Sequence, residues 1–283
     1  YFRSVQTGNW SSTSTWQQSL DNATWTAANS IPTRGHDLTT IQSGHTVTLT
    51  ANATVSSLTI HGTLNTGIYA LSGTAALTVS STGTINVSGT GNFPSGFATI
   101  NLNDGSTVNY NLNGNQNIFA TTYSNLTLSV GGTKSLTEAT TVNGTLTIGR
   151  PLTTNSYQLT LGGDYVQNST FSQGTGTVLI NGNTTQTISG TTATTFYNLT
   201  VNKTGGDLTL SKAVAVSNIL SLQSGIINTT TTNLLSVTNT AASAISGGSA
   251  TAYINGPLLR NLPASFSSTA SYNFPVGKSG NYY

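Results

Sequence analysis

Ser57-Leu58-Thr59-Ile60-His61-Gly62-Thr63-Leu64 decides how this chain folds. Hydroxyl and apolar residues alternate through Ser57–Ile60, His61-Gly62 interrupts, and the alternation resumes at Thr63. Period two over four to six residues, rich in β-branched side chains, marks a half-buried strand; Gly accepts the turn between two of them. The cadence recurs at Thr46-Val47-Thr48-Leu49, Leu77-Thr78-Val79, Asn125-Leu126-Thr127-Leu128, Thr145-Leu146-Thr147-Ile148, Leu199-Thr200-Val201 and Leu208-Thr209-Leu210. The linking phrase Gly-Thr-Leu or Gly-Thr-Ile returns at Gly83-Thr84-Ile85 and Gly144-Thr145-Leu146. No stretch has the three-and-four apolar spacing of a helix, so the pattern predicts an all-β chain.

A longer repeat selects the architecture. Val108-Asn109-Tyr110 matches Val178-Leu179-Ile180, and Gln116-Asn117-Ile118 matches Gln186-Thr187-Ile188. Tyr123-Ser124-Asn125-Leu126-Thr127-Leu128 matches Phe196-Tyr197-Asn198-Leu199-Thr200-Val201, and Val142-Asn143-Gly144-Thr145-Leu146 matches Val216-Ser217-Asn218-Ile219-Leu220. The offset drifts from about 70 to about 74 residues, three turns of a coil with small insertions. These features predict a parallel β-helix, or β-solenoid, with Leu, Val and Ile stacked inside and Thr, Ser and Asn outside. Tandem β-sandwiches are the alternative. The expected division is an N-terminal cap over 1–45, the β-helix over 46–240, and a C-terminal cap or the start of a following domain over 241–283. Trp10, Trp16 and Trp25 all fall in the first of these. They are read either as a cap over the open end of the solenoid or as a platform for sugar rings.

Composition narrows the function. Of 283 residues only 5% are charged, against about 25% in ordinary globular domains, and the net charge is +2. The pI near 8.9 is a small difference between small numbers and gives no basic face for nucleic acid. Cys is absent, which removes disulfides, thiolate chemistry and Cys-ligated zinc. No apolar run is long enough to span a membrane as a helix. Met is also absent and the first residue is Tyr1, which is read as a removed leader or a piece of a longer chain.

Certain residues invite chemistry. Two carboxyls about 5 to 9.5 Å apart would suit glycoside hydrolysis. The acids are Asp21, Asp37, Asp104, Glu138, Asp164 and Asp207, scattered like the basic residues Arg34, Arg150, Arg260, Lys134, Lys203 and Lys212. They are expected to be isolated turn residues, so no catalytic site is expected. Gly163-Asp164 and Gly206-Asp207 echo calcium-binding solenoid turns but are incomplete. They are read as tight turns; no cofactor is expected, and an adventitious Ca2+ on backbone carbonyls is compatible with them. His36, His45 and His61 lack metal-ligand spacing. Thr-x-Thr phrases such as Thr46-Val47-Thr48, Thr145-Leu146-Thr147, Thr175-Gly176-Thr177 and Thr185-Gln186-Thr187 suggest an ice-binding array, but they share no common period in the sequence, so ice binding is a minor expectation. Asn-x-Ser/Thr at Asn22, Asn52, Asn125, Asn168 and Asn198 follows from composition.

The opening residues Tyr1-Phe2-Arg3-Ser4, Gly8-Asn9-Trp10, Thr15-Trp16, Thr24-Trp25, Ile31-Pro32-Thr33 and Ile41-Gln42-Ser43-Gly44-His45-Thr46-Val47 form a set of phrases. With Phe196-Tyr197-Asn198-Leu199-Thr200-Val201, Ala252-Tyr253-Ile254-Asn255-Gly256-Pro257-Leu258 followed by Arg260, and Tyr272-Asn273-Phe274-Pro275-Val276-Gly277-Lys278, that set resembles the N-terminal region of large adhesin-like surface proteins of Bacteroidetes, exported by the type IX secretion system. The resemblance implies a signal peptide before Tyr1, a sorting domain beyond Tyr283, the type IX machinery as a partner, and an extracellular, cell-surface location. The expected function is a secreted, non-catalytic adhesin or structural stalk. It would contact glycans, surfaces or other cells through its Thr/Asn/Ser-rich rod, with self-association as a further partner mode. A self-assembling extracellular filament subunit and a β-helical polysaccharide lyase or hydrolase are the alternatives.

Overall fold

The computed structural model describes residues 1–265, 269–278 and 281–283. These residues form short strands and two 3-10 turns, Thr13–Thr15 and Ala242–Ala244, with no α-helix among them. The chain is a parallel β-solenoid that divides into two compact units, 1–119 with 123–134, and 120–122 with 135–283.

In the first unit one sheet stacks Gly8–Asn9, Thr46–Thr48, Thr63–Asn65, Thr84–Val87, Thr107–Tyr110 and Asn125–Leu128, every pair parallel. A second sheet stacks Phe2–Ser4, Leu38–Ile41, Ser57–Ile60, Ala76–Val79 and Thr99–Leu102, again in parallel. Parallel pairing between successive short strands excludes antiparallel sandwiches. Alternation sets the core: Val47, Leu64, Ile85, Val108 and Leu126 occupy aligned inward positions of the first sheet, and each is essentially fully buried. Burying each such side chain contributes about 1.5–3 kcal/mol. Stacking also explains Gly62 and Gly83. A Cβ at Gly62 would strike the carbonyl oxygens of Gln42 and His45, and one at Gly83 the carbonyl oxygen of Ile60. The corners bring successive turns too close for a side chain.

The second unit repeats the logic. Val142, Leu161, Ile180, Val201 and Leu222 align through consecutive strands, beside Leu159, Val178, Leu199, Leu220 and Ile245. All ten are buried. Parallel pairing continues through Ile254–Asn255, Leu258–Arg260 and Val276–Lys278.

Where turns leave carbonyls inside, buried amides and cations satisfy them. Gln116 Nε2 donates to Val87 O and Gly89 O while its Oε1 accepts from Leu112 N. Lys134, fully buried, then donates to Leu112 O and Gly114 O. The second unit rebuilds this clamp with Gln186, which donates to Leu161 O and Gly163 O, and Lys203, which donates to Gly182 O and Thr184 O. Burial lowers the Lys203 pKa, and the nearby carboxylates of Asp207 and Asp164 oppose that shift. The matched pair Gln116 and Gln186 is the physical content of the long sequence repeat.

The N-terminal residues close the first unit by changing strand direction. Phe2–Ser4 pairs antiparallel with Trp16–Gln18, which pairs antiparallel with Thr26–Ala27. Trp10 and Trp16 meet edge to face with ring centroids 5.0 Å apart, and Trp16 Nε1 donates to Trp10 O at 2.9 Å.

Candidate functional site

The most regular surface lies on the outward side of the first unit's first sheet. Register places Thr46, Thr63, Thr84, Thr107 and Asn125 in one column and Asn9, Thr48, Asn65, Asn86, Asn109 and Thr127 in a second. Thr7 extends the first column, since its Oγ1 accepts Thr46 N at 2.9 Å. The face carries twelve hydroxyl or carboxamide side chains on six rungs, with no charge and no aromatic ring. No register shift interrupts it. Rungs repeat at about 4.8 Å, and neighbours on one strand lie about 6.7 Å apart.

The two columns differ in their internal bonding. Asn65 Nδ2 donates to Thr48 Oγ1 at 3.3 Å, Asn86 Nδ2 to Asn65 Oδ1 at 2.8 Å, and Asn109 Nδ2 to Asn86 Oδ1 at 3.1 Å. Ser129 Oγ closes the ladder on Asn109 Oδ1 at 2.7 Å. In the other column, the hydroxyls of Thr46, Thr63, Thr84 and Thr107 have no hydrogen-bond partner among the described residues. The amide ladder fixes the surface, and the threonine column presents donors and acceptors to whatever lies outside.

The Thr-x-Thr phrases share no fixed period, yet one of them belongs to an aligned array. Thr46-Val47-Thr48 stands in register with Thr63-Leu64-Asn65, Thr84-Ile85-Asn86 and Thr107-Val108-Asn109. Successive ladder partners lie 17, 21 and 23 residues apart, because the rungs differ in loop length. A fixed-period search misses them. The repeated Gly-Thr-Leu and Gly-Thr-Ile phrases were the signal that could have found them.

The tryptophans are divided. Trp10 and Trp16 are 2% and 1% exposed and pack within the cap, so neither offers a ring face to a sugar. Trp25 is half-buried, with the Arg3 guanidinium 4.3 Å above its ring. Two hollows flank this region. One, of about 550 Å³, is lined by Phe2, Gln18, Asp21, Asn29 and His36 among others. The second, of about 150 Å³, lies against Trp10, Ile31, Pro32 and Asn52.

The ionisable residues serve local structure where their contacts are defined. Asp21 accepts Ala23 N, Thr24 N and Ser19 Oγ, and these bonds hold its carboxyl far below the usual range. Asp164 accepts Thr187 N, and Asp207 accepts Asn228 Nδ2. Both act on Lys203, a buried residue whose ammonium is committed to the Gly182 and Thr184 carbonyls and to Gln186 Oε1. His36 Nδ1 accepts Thr33 N, and His45 Nδ1 bonds the Ser4 hydroxyl, on separate turns. Among the described residues no three of His, Cys, Asp or Glu form a group able to hold a metal ion. Among the described residues no helix is long and apolar enough to cross a membrane. No protein-family model, curated protein or solved structure matches the chain.

Proposed function

We propose that this protein is an extracellular, non-catalytic contact protein, an adhesin or structural stalk that touches glycans, solid surfaces or other cells. The six-rung uncharged face carries this reading. Each hydroxyl or amide contact is weak, and only many made together on an extended partner give useful strength. The β-branched threonines lose little rotamer freedom on contact. Export by the type IX machinery and residence on the cell surface belong to the same proposal and rest on the sequence resemblance.

The test is adsorption of the chain to films of cellulose, chitin and dextran. Wild-type protein binds at least one film, with little change in 1 M salt, because no charge lies on the face. Thr63→Glu with Thr107→Glu loses about tenfold, roughly 1.4 kcal/mol. Thr40→Glu with Thr78→Glu, on the other sheet, changes adsorption little. Equal loss from both pairs, or no adsorption at all, overturns the proposal.

A second reading, ice binding, is favoured by the regular array of a threonine column beside an amide ladder on six parallel rungs. Thermal hysteresis abolished by Thr63→Glu, without adsorption to the films, would select it.

A further inference from the structure

We propose that the N-terminal closure of the first unit is an acid-sensitive latch, pinned by His36 and His45 at the two ends of one strand and released when both imidazoles take up a proton. The latch is independent of the threonine face and of the adhesive reading.

The closure hangs on a short contact. Phe2–Ser4 pairs in parallel with Leu38–Ile41 and carries Trp16–Gln18 and then Thr26–Ala27 on its other side. The register between Phe2–Ser4 and Leu38–Ile41 covers two residue pairs, against four between Leu38–Ile41 and Ser57–Ile60. A histidine stands at each end of Leu38–Ile41. The His36 ring lies on Phe2 with centroids 4.5 Å apart, and His45 Nδ1 is 2.9 Å from the Ser4 hydroxyl.

Both sets of hydrogen bonds call for a neutral ring. Thr33 N–H can only donate, and it meets His36 Nδ1 at 3.0 Å, so that nitrogen must offer a lone pair. Ser4 Oγ accepts Gln42 N at 2.9 Å, which leaves its own proton for His45 Nδ1. A proton on His36 Nδ1 sets two N–H groups against each other. A proton on His45 Nδ1 takes away the acceptor of the Ser4 hydroxyl, which is buried. Histidine is the side chain whose ordinary titration falls between about pH 5 and 8.

The charges around the latch do not reward the protonated rings. Asp21 lines the same hollow as His36, but its carboxylate already accepts four hydrogen bonds from Ser19, Ala23 and Thr24. Asp37, exposed beside His36 in the chain, is the other carboxylate. Against these two stand the Tyr1 ammonium on Ser19 O, the exposed Arg34, and Arg3, held between Gln17 and the Trp25 ring. His61 precedes the next corner, where Thr63 N donates to His45 O, and it adds a further positive charge in the same pH range. The sign follows. The closure is held while the rings are neutral and is lost as pH falls through their protonation, since the opened strand binds protons more readily. Opening leaves the edge of Leu38–Ile41 unpaired.

The experiment measures amide hydrogen exchange by NMR in the intact 283-residue chain at about pH 7.5 and about pH 5, each rate divided by the unstructured rate at that pH. Gln42 N, bonded to Ser4, reports the latch itself. Val5 N and Ser19 N, bonded to Thr15 O and Tyr1 O, report the closing strands, which are not stable once detached. The expected result is a loss of about tenfold or more in their protection at the lower pH, while Thr84 N and Thr107 N, bonded to Gly62 O and Gly83 O, change less than about twofold. His36→Asn with His45→Asn places an acceptor oxygen near each Nδ1 position and does not titrate here, so it keeps its protection at both pH values. Wild-type protection that is unchanged or higher at pH 5 overturns the inference. So does a loss shared equally by Thr84 and Thr107, or one as large in the double variant. If the double variant fails to fold, the wild-type ring signals decide: the loss must follow protonation of His36 and His45 as pH is lowered, and a loss that tracks neither ring overturns the inference.

Discussion

Replacing Gln186 by Leu tests whether buried amides lock successive rungs. Gln186 is 1% exposed. Its Nε2 donates to Leu161 O at 3.0 Å and Gly163 O at 2.7 Å; its Oε1 accepts from Gly182 N at 2.9 Å and Lys203 Nζ at 2.5 Å. Leu has similar volume, so packing is kept while Gly163 O and Gly182 N lose their partners; Leu161 O keeps Asn181 N at 3.0 Å. Lys203 retains the carbonyls of Gly182 and Thr184. Each orphaned group costs about 1–3 kcal/mol. Relaxation relieves part of that, and the added apolar surface offsets about 1 kcal/mol. The expected net loss is about 2–4 kcal/mol, at the upper end for single substitutions. Urea unfolding followed by far-UV circular dichroism measures it, with the m value checked because a weakened rung can split the transition of a repeat protein. Gln158→Leu is the control: that side chain is exposed and bonds only Thr160 Oγ1, at 3.1 Å, so its loss stays within about 0.5 kcal/mol. A Gln186→Leu protein within about 0.5 kcal/mol of wild type, at unchanged m, refutes the reasoning.

Leu64→Ala, at a fully buried inward position, should cost about 2–5 kcal/mol in the same assay; a loss below 1 kcal/mol would mean that the column is not packed as described. Tyr110, bonded to Tyr123 at 2.9 Å, has its pKa pushed up to about 12 by burial, and Tyr123 and Tyr165 are raised well above 10.0 for the same reason. A raised folded-state pKa leaves stability intact below about pH 10 and removes it as pH climbs through about 12, so phenolate absorbance from these rings should appear together with unfolding. Titration of every tyrosine near pH 10 in the folded protein contradicts this. Gly132→Ala should cost more than about 2 kcal/mol, because φ is +55° and the new Cβ would meet the Gly114 backbone; chemical denaturation showing no loss would place that turn elsewhere.

The architecture was legible because the physics that builds it is local. Period-two alternation at Ser57–Ile60 and Thr84–Val87 states which residues face inward, and glycine at 62 and 83 marks corners where turns touch. The repeat pointed to Gln116 and Gln186 without revealing that both are buried clamps. The alignment of Thr63, Thr84 and Thr107 was less legible, since register depends on loop lengths between strands and those lengths vary. Trp10 and Trp16 were visible as a cluster. Which way their rings faced depended on the antiparallel excursion of Trp16–Gln18, a feature that breaks the solenoid pattern around it. Lys134 and Lys203 read as scattered surface charges; only the stacked turns show the carbonyls that hold them.

The threonine column can be measured directly. The chain has no cysteine, so paired Cys substitutions accept nitroxide labels cleanly. Labels at Thr46 and Thr84 stand two rungs apart, about 10 Å along the column, and labels at Thr46 and Thr107 three rungs apart, about 14 Å. Electron paramagnetic resonance should report strong dipolar coupling for the first pair and a distance one rung longer for the second, in protein that retains its adsorption when unlabelled. Equal distances for the two pairs, or no coupling in either, would mean that these threonines do not form one face.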